Sequence, residues 1–230
     1  MSLSTELESV GFAVERSAIR PEGLARLLEL CVANSEAITV RHRSGEPFAV
    51  RGLLWSCPEL ARALLDLGPT ALATSVLGKP AFPVDATFFD KQARANWTVP
   101  AHQDRVLPVS DASLDAHHRH GLSYAEPRAE ILAQLLAIRI HFDACDADSG
   151  ALSLAPASHH RGVIADEQIA SFSLAEFRVC AAASGDLLLM RPLVLHRSSP
   201  TQAVGQRRVL HVVYATEQPG SGLTWRETLG

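Results

Sequence analysis

The 230-residue chain has no apolar run approaching the ~18 residues that a membrane-spanning helix needs. It also has no basic surplus, since 21 lysines and arginines face 25 aspartates and glutamates, for a net charge of −4. Neither nucleic acid nor an anionic membrane is therefore an expected partner. The start, MSLSTELESVGF, lacks the basic n-region and long apolar h-region of a secretory signal. Cys31, Cys57, Cys145 and Cys180 form no CxxC pair. The expectation is free thiols in a reducing cytoplasm. There is no repeat and no low-complexity linker. Hydrophobic residues at 47% and charged residues at 20% exclude global disorder. The length suits one sizeable core, so a single domain over 1–230 is expected. Within it, 1–80 forms a helix/strand flank, 81–216 a β core and 217–230 a C-terminal tail.

Two textures are present. In the first, Leu24, Leu27, Leu28, Leu30 and Cys31 recur at helical spacing after Pro21, a favourable first-turn residue. Pro58 opens a second helical stretch carrying Leu60, Leu64 and Leu65, which Gly68-Pro69 ends. Residues 48–53 between them read as a short strand. From about residue 81 onward, short apolar segments alternate with turn signals. Strands are expected over Phe82 to Phe89, Leu152 to Leu154, Leu187 to Leu195 and Gln206 to Ala215. Ile131 to Phe142 reads as another, although its start, from Ala129, suits a helix equally. Turns fall at 146–150 and 184–186. Many short strands at this spacing predict a mainly β protein, a double-stranded β-helix (jelly roll) with N-terminal helices packed outside.

Ten histidines supply the chemistry. His102-Gln103-Asp104 is an HxD triplet, and on a strand residues i and i+2 share a face. One imidazole and one carboxylate would then point at one spot, two-thirds of a 2-His-1-carboxylate triad for Fe(II). His141-Phe142-Asp143 is a second HxD on a stronger strand candidate, with Arg139 on its face, and periodicity does not choose between the two. His196 ends the run from Leu187, and Ser198 shares its face. A hairpin through Pro200 and Gly205 would return Arg207 beside His196. A metal ligand, a hydroxyl and a guanidinium would share one cavity, as a dicarboxylic keto acid requires. His117-His118-Arg119-His120 matches no standard structural zinc spacing, and 111–124 reads as a long exposed loop or lid. His211 alternates with Arg207 and Val209 and so faces the cavity or the core. Phe88, Phe89 and Trp97 are pocket or core aromatics.

Four segments carry a resemblance: NWTVPAHQD (96–104), DSGALSLAPASH (148–159), GDLLLMRPLVLHRSS (185–199) and RRVLH (207–211). In order and separation the chain resembles the phytanoyl-CoA dioxygenase family of Fe(II)- and 2-oxoglutarate-dependent oxygenases over roughly residues 82–216. The resemblance implies His102, Asp104 and His196 as iron ligands, with Arg207 and Ser198 holding the distal carboxylate of 2-oxoglutarate. The step of eleven residues from His196 favours Arg207 over Arg208. Lys91 and Gln103 are further candidates near the cosubstrate or substrate. The family's PGSH-like run is Pro156-Ala157-Ser158-His159 here, with Ala in place of Gly. The implied reaction is hydroxylation of a small organic substrate by dioxygen, with release of succinate and CO2. A carboxylate at 104, where related halogenases have a small residue, implies oxidation in place of halogenation. Two alternatives are a jelly-roll metal enzyme without 2-oxoglutarate and a non-catalytic binding module. Oligomeric state is not legible.

Overall fold

A computed structural model of the chain describes residues 2–34, 40–43, 46–91, 98–119, 121–200 and 206–226. The expected helices form where their apolar spacing places them. Helix α1 spans Leu3–Ser9, α2 Pro21–Ala33, α3 Leu53–Ser56, α4 Pro58–Asp66 and α5 Pro69–Leu77. Proline occupies the first turn of α2, α4 and α5, where a missing N–H costs nothing. Leu24, Leu27 and Cys31 of α2 and Leu60, Ala63 and Leu64 of α4 form their buried stripes.

Fourteen strands follow the chain among the described residues. They are β1 Phe12–Glu15, β2 Val40–Arg43, β3 Glu46–Val50, β4 Phe82–Lys91, β5 Val99–His102, β6 Leu107–Val109, β7 His117–Arg119, β8 Leu122–Ala125, β9 Leu136–His141, β10 Leu152–Leu154, β11 Arg178–Val179, β12 Leu187–Met190, β13 His196–Ser198 and β14 Arg207–Ala215. All pairings are antiparallel. A major sheet runs β1-β12-β9-β14-β4-β3-β2, a minor sheet β11-β10-β13-β5, and a small sheet β6-β8-β7. This is the expected double-stranded β-helix with helices outside. The first eighty residues are more than a flank, because β1, β2 and β3 complete both ends of the major sheet.

Strand alternation divides the core. Ile138, Ile140, Leu210, Val212, Ala86 and Phe88 turn outward and pack on Leu27, Leu53, Leu60 and Leu64 of the helices. Each such fully buried side chain contributes about 1.5–3 kcal/mol. Residues at the alternate positions face the minor sheet, with Ala137, Leu188 and Val213 joining Leu152, Leu154 and Leu107. One irregularity interrupts β4. Val213 pairs with Asp85 but Tyr214 pairs with Pro83, so Val84 is an extra residue in a β-bulge. Val84 joins the inner cluster, and Asp85 lies beside it on the cavity side.

Several expectations change. The run Leu187 to Leu195 is not one strand, since β12 ends at Met190 and the chain turns before β13 starts at His196 in the other sheet. Its apolar residues on either side of Arg191-Pro192 are buried on both sides of a sheet crossing. The expected hairpin from His196 to Arg207 is absent, because β13 pairs with β10 and β5, and β14 with β4 and β9. The segment from Ala129 is both things in turn, a short helix α6 (Ala129–Leu132) and then β9. The 111–124 loop is largely the β7–β8 hairpin, stabilised by Ser123 donating to Asp111 at 2.7 Å; His120 lies outside the described residues. The C-terminal tail is docked, with Trp225 fully buried and bridged to Val109.

Candidate metal centre and adjoining cavity

His102 and His196 are direct cross-strand partners on β5 and β13, and cross-strand pairing places their rings together at 4.3 Å between centroids. Asp104 lies just past the end of β5, so the i, i+2 strand argument does not place it. Its backbone N–H donates to the Pro192 carbonyl at 3.0 Å, which ties it to the turn before β13. Its carboxylate lies 3.6 Å from Nε2 of both His102 and His196. The three ligand atoms all fall within 4.8 Å of one another, the one such group among the described residues.

The tautomers favour a metal. Nδ1 of His102 lies 2.9 Å from the Pro100 carbonyl and Nδ1 of His196 2.9 Å from the Val194 carbonyl. A carbonyl only accepts, so each Nδ1 carries the proton and each Nε2 presents a lone pair to the same point. Burial pushes the His196 imidazole down to about 4, against the pull of Asp104, which keeps it neutral at pH 7. Burial works to raise the Asp104 carboxyl, but His196, His211, His102 and Arg139 together hold it well below the usual carboxylate range. Asp104 Oδ2 is buried and has no hydrogen-bond partner among the described residues. Two Nε2 atoms and an orphaned carboxylate oxygen gathered at one point suit a divalent ion.

The centre opens on a cavity of about 240 Å³ between the sheets. Its floor is the inner face of β4, β9 and β14. Reading along β14, Arg207 comes first, then His211 opposite Thr87 and Arg139, then Val213 opposite Asp85. Arg207 is buried, donates Nη1 to the Gly150 carbonyl, and leaves Nε without a hydrogen-bond partner among the described residues. Burial lowers its pKa. Ser198, across the cavity on β13, has a buried and equally unpartnered Oγ. Arg139 is buried, with Nε in the same state. Burial first, and then the Arg207 charge, push it down to about 10. Two guanidiniums and a hydroxyl with unmet donors in one enclosed space call for a ligand with anionic oxygens.

Arg208 turns away, as expected, and forms a bidentate pair with Asp143 at 2.7 and 2.9 Å. The second HxD is thereby dispersed. His141 is buried with Nδ1 3.3 Å from Cys145 Sγ, while Asp143 is spent on Arg208. Lys91 is buried but is not on the cavity wall. Its ammonium donates to the Ser199 carbonyl at 2.7 Å, and burial, then Arg207, lower its pKa to about 7. Gln103 also points away, bonded to the Gly162 and Leu193 carbonyls and the Ile164 N–H. These two residues hold loops and do not face the ligand space. No described residue of 111–124 lines the cavity. Phe89 does, Phe88 belongs to the core, and Trp97 lies outside the described residues. All four cysteines are buried and free.

His211 does face the cavity. Its Nδ1 lies 3.2 Å from Arg139 Nη1 and its Nε2 3.7 Å from Asp104 Oδ2. Because guanidinium only donates, the His211 proton sits on Nε2, directed at the carboxylate. Burial, and Arg139 beyond it, depress its pKa to about 3 despite Asp104. Arg51, Asp85, Thr87 and Arg139 were missed as site residues by sequence reasoning. A usable signal existed, since Asp85 lies between Val84 and Ala86 and Arg139 between Ile138 and Ile140.

The β-helix fold and the HxD…H group together define a mononuclear non-haem metal protein of the 2-oxoglutarate oxygenase class. The chain belongs to the phytanoyl-CoA dioxygenase (PhyH) family, whose profile matches residues 8–209. Iron and 2-oxoglutarate are the cofactors of that class, and the His102/Asp104/His196 triad fits the metal. No curated protein sequence matches the chain. Among solved structures, EctD from S. alaskensis with 2-oxoglutarate and 5-hydroxyectoine is 16% identical with a TM-score of 0.72, over 99% of this chain and 84% of that one. SnoK, a non-heme alpha-ketoglutarate-dependent carbocyclase from nogalamycin biosynthesis, is 15% identical with a TM-score of 0.70, over 100% and 88%. HygX from Streptomyces hygroscopicus with nickel and 2-oxoglutarate bound is 15% identical with a TM-score of 0.65, over 97% and 88%. At these identities the likeness is one of fold.

Proposed function

We propose that the protein hydroxylates a small organic substrate with dioxygen, using Fe(II) and 2-oxoglutarate and releasing succinate and CO2. The observation that carries this reading is the sharing of one cavity by the triad and, further along the same floor, Arg207 and Ser198. Iron with 2-oxoglutarate would supply dioxygen reduction coupled to decarboxylation of the keto acid, with one oxygen atom ending in succinate and one in the product. The rest falls to the chain. His102, Asp104 and His196 would hold the metal, and all three line the cavity. Arg207 donates to the distal carboxylate of the cosubstrate, and Ser198 Oγ adds a second donor. Leu152 and Val99 line the cavity with apolar surface that limits water. His211 presents its Nε2–H to Asp104 and fixes the carboxylate's orientation. Asp104 fills the position a chloride would need, which favours hydroxylation over halogenation. The cavity volume of about 240 Å³ lies below the ~300–1,000 Å³ of sites for drug-sized ligands, which supports a small substrate. Four free thiols fit the reducing cytoplasm expected from the sequence.

Anaerobic titration of the protein with Fe(II) and then 2-oxoglutarate tests the reading. A visible iron-to-keto-acid charge-transfer band is expected. Arg207→Met should weaken 2-oxoglutarate by about 30-fold or more, the lower end of ~2 kcal/mol for truncating one partner of a buried charge pair. A band that forms with equal affinity in R207M would remove 2-oxoglutarate from Arg207. A wild-type protein that binds iron and gives no band would favour an enzyme without the keto acid.

A further inference from the structure

The floor of the cavity has two charged ends. His211 and Thr87 lie level with the metal centre. Arg207 is four residues from His211 on one side, roughly 13 Å at ~3.3 Å per residue. Val213 and its partner Asp85 lie one pair beyond it on the other side, roughly 7 Å away by the same rise. 2-Oxoglutarate anchored at Arg207 therefore approaches the metal from one side, and the Asp85 side is left for whatever is oxidised.

Asp85 is unusual there. It is a carboxylate only 9% exposed, between Val84 and Ala86 on its strand, on the wall of the cavity. The bulge at Val84 lies directly before it, and bulges beside active sites commonly set the aim of a side chain. Burial lifts its pKa to about 6, only partly offset by Arg51 and by the Ala86 N–H. Arg51, one residue past the Val50–Phe88 pair and so near the level of Thr87, lines the same cavity close enough to act on the Asp85 charge. Val106, Leu107 and Val213 supply apolar wall to the same cavity.

We infer that Asp85 and Arg51 form the substrate subsite, and that the substrate is a small zwitterion of amino-acid type. Its protonated nitrogen docks on Asp85, its acidic group faces Arg51, and a carbon a few bonds from the nitrogen lies over the metal. A cation on Asp85 supplies the charge that the fold withholds, and Arg51 beside it rejects simple amines. A purely hydrocarbon substrate would set apolar surface against a buried carboxylate on the cavity wall. The inference rests on the function proposed above and adds the substrate class.

The test uses the Fe(II)- and 2-oxoglutarate-loaded full chain. Succinate release is measured with a panel of small α- and β-amino acids and their N-methyl derivatives, beside matched monocarboxylic acids, simple amines and polyols. Expected is stimulation by one or more zwitterions, at least tenfold over succinate release without substrate, and none by the matched compounds. For each stimulating compound, anaerobic calorimetry on protein loaded with Mn(II) and 2-oxoglutarate should show affinity lost 30-fold or more in D85N and R51Q. The 2-oxoglutarate titration of both variants should stay within twofold of wild type, which shows that they fold and load. Stimulation by amine-free acids, by polyols or by simple amines overturns the inference. So does a panel without any hit, or a zwitterion whose affinity D85N leaves unchanged. Failure of the 2-oxoglutarate titration in wild type instead overturns the function on which the inference rests.

Discussion

Asp85 makes a quantitative demand on stability. Its carboxyl is raised from 3.8 to about 6 by burial. The folded state therefore holds the proton more tightly than the unfolded chain does. Between those two values the native state binds more protons, so stability falls as pH rises through the interval and stays low above it. Two units at 1.36 kcal/mol each amount to about 3 kcal/mol of destabilisation at pH 7.5, shrinking to about 0.6 kcal/mol at pH 4. Asn cannot ionise and removes this pH-dependent part. Urea unfolding of metal-free wild type and Asp85→Asn at both pH values measures it. The variant should gain about 2–3 kcal/mol more at pH 7.5 than at pH 4 by the same linkage. The imidazoles and Asp104 are common to both proteins and cancel in the comparison. An equal stability difference at the two pH values would refute the argument, because it would mean that Asp85 titrates normally in the fold.

Other outcomes follow from local geometry. Ala157 sits at φ +60°, in the left-handed region, which gives the family's glycine at this position a physical reason. Ala157→Gly relieves ~1–2 kcal/mol of strain against ~0.5–1 kcal/mol of added unfolded-state freedom, so a gain of about 0.5–1 kcal/mol should appear as a slightly higher Tm; a fall in Tm would contradict it. His211→Phe removes the Nε2–H facing Asp104 and should weaken metal binding about 10–100-fold in a chelator competition, whereas unchanged affinity would make His211 mere packing. Asp104→Ala should abolish Fe(II) retention after gel filtration, and retention at wild-type stoichiometry would place the metal elsewhere.

Much of the β core was readable, for reasons particular residues make plain. Strands β4 and β14 stand out because one face meets the helices and the other the cavity, and β10 because buried Leu152 and Leu154 flank a partly exposed Ser153. The choice of Arg207 over Arg208 is supported by the structure, since consecutive strand residues point to opposite sides and Asp143 takes the second. What escaped was three-dimensional. His196 and Arg207 were expected in one hairpin, yet they reach the cavity from opposite sheets, because Leu187 to Leu195 is apolar on both sides of a turn and hides the crossing. The resemblance offers Gln103 and Lys91 as candidates near the cosubstrate or substrate, but each donates to backbone carbonyls and neither lines the cavity. The histidine-rich hairpin at 117–125 gave no strand signal because β7 is exposed on every residue.

The pairing of Phe12 with Met190 sets the order in which the molecule can be assembled. An emerging polypeptide must keep its first strand unclaimed until nearly the whole chain has been synthesised, and contacts of such long range make for slow folding. His102 and His196 meet only at the same late stage. Iron would then load last, as a clasp on a finished barrel, and a metal-starved cell would accumulate the chain with that clasp undone.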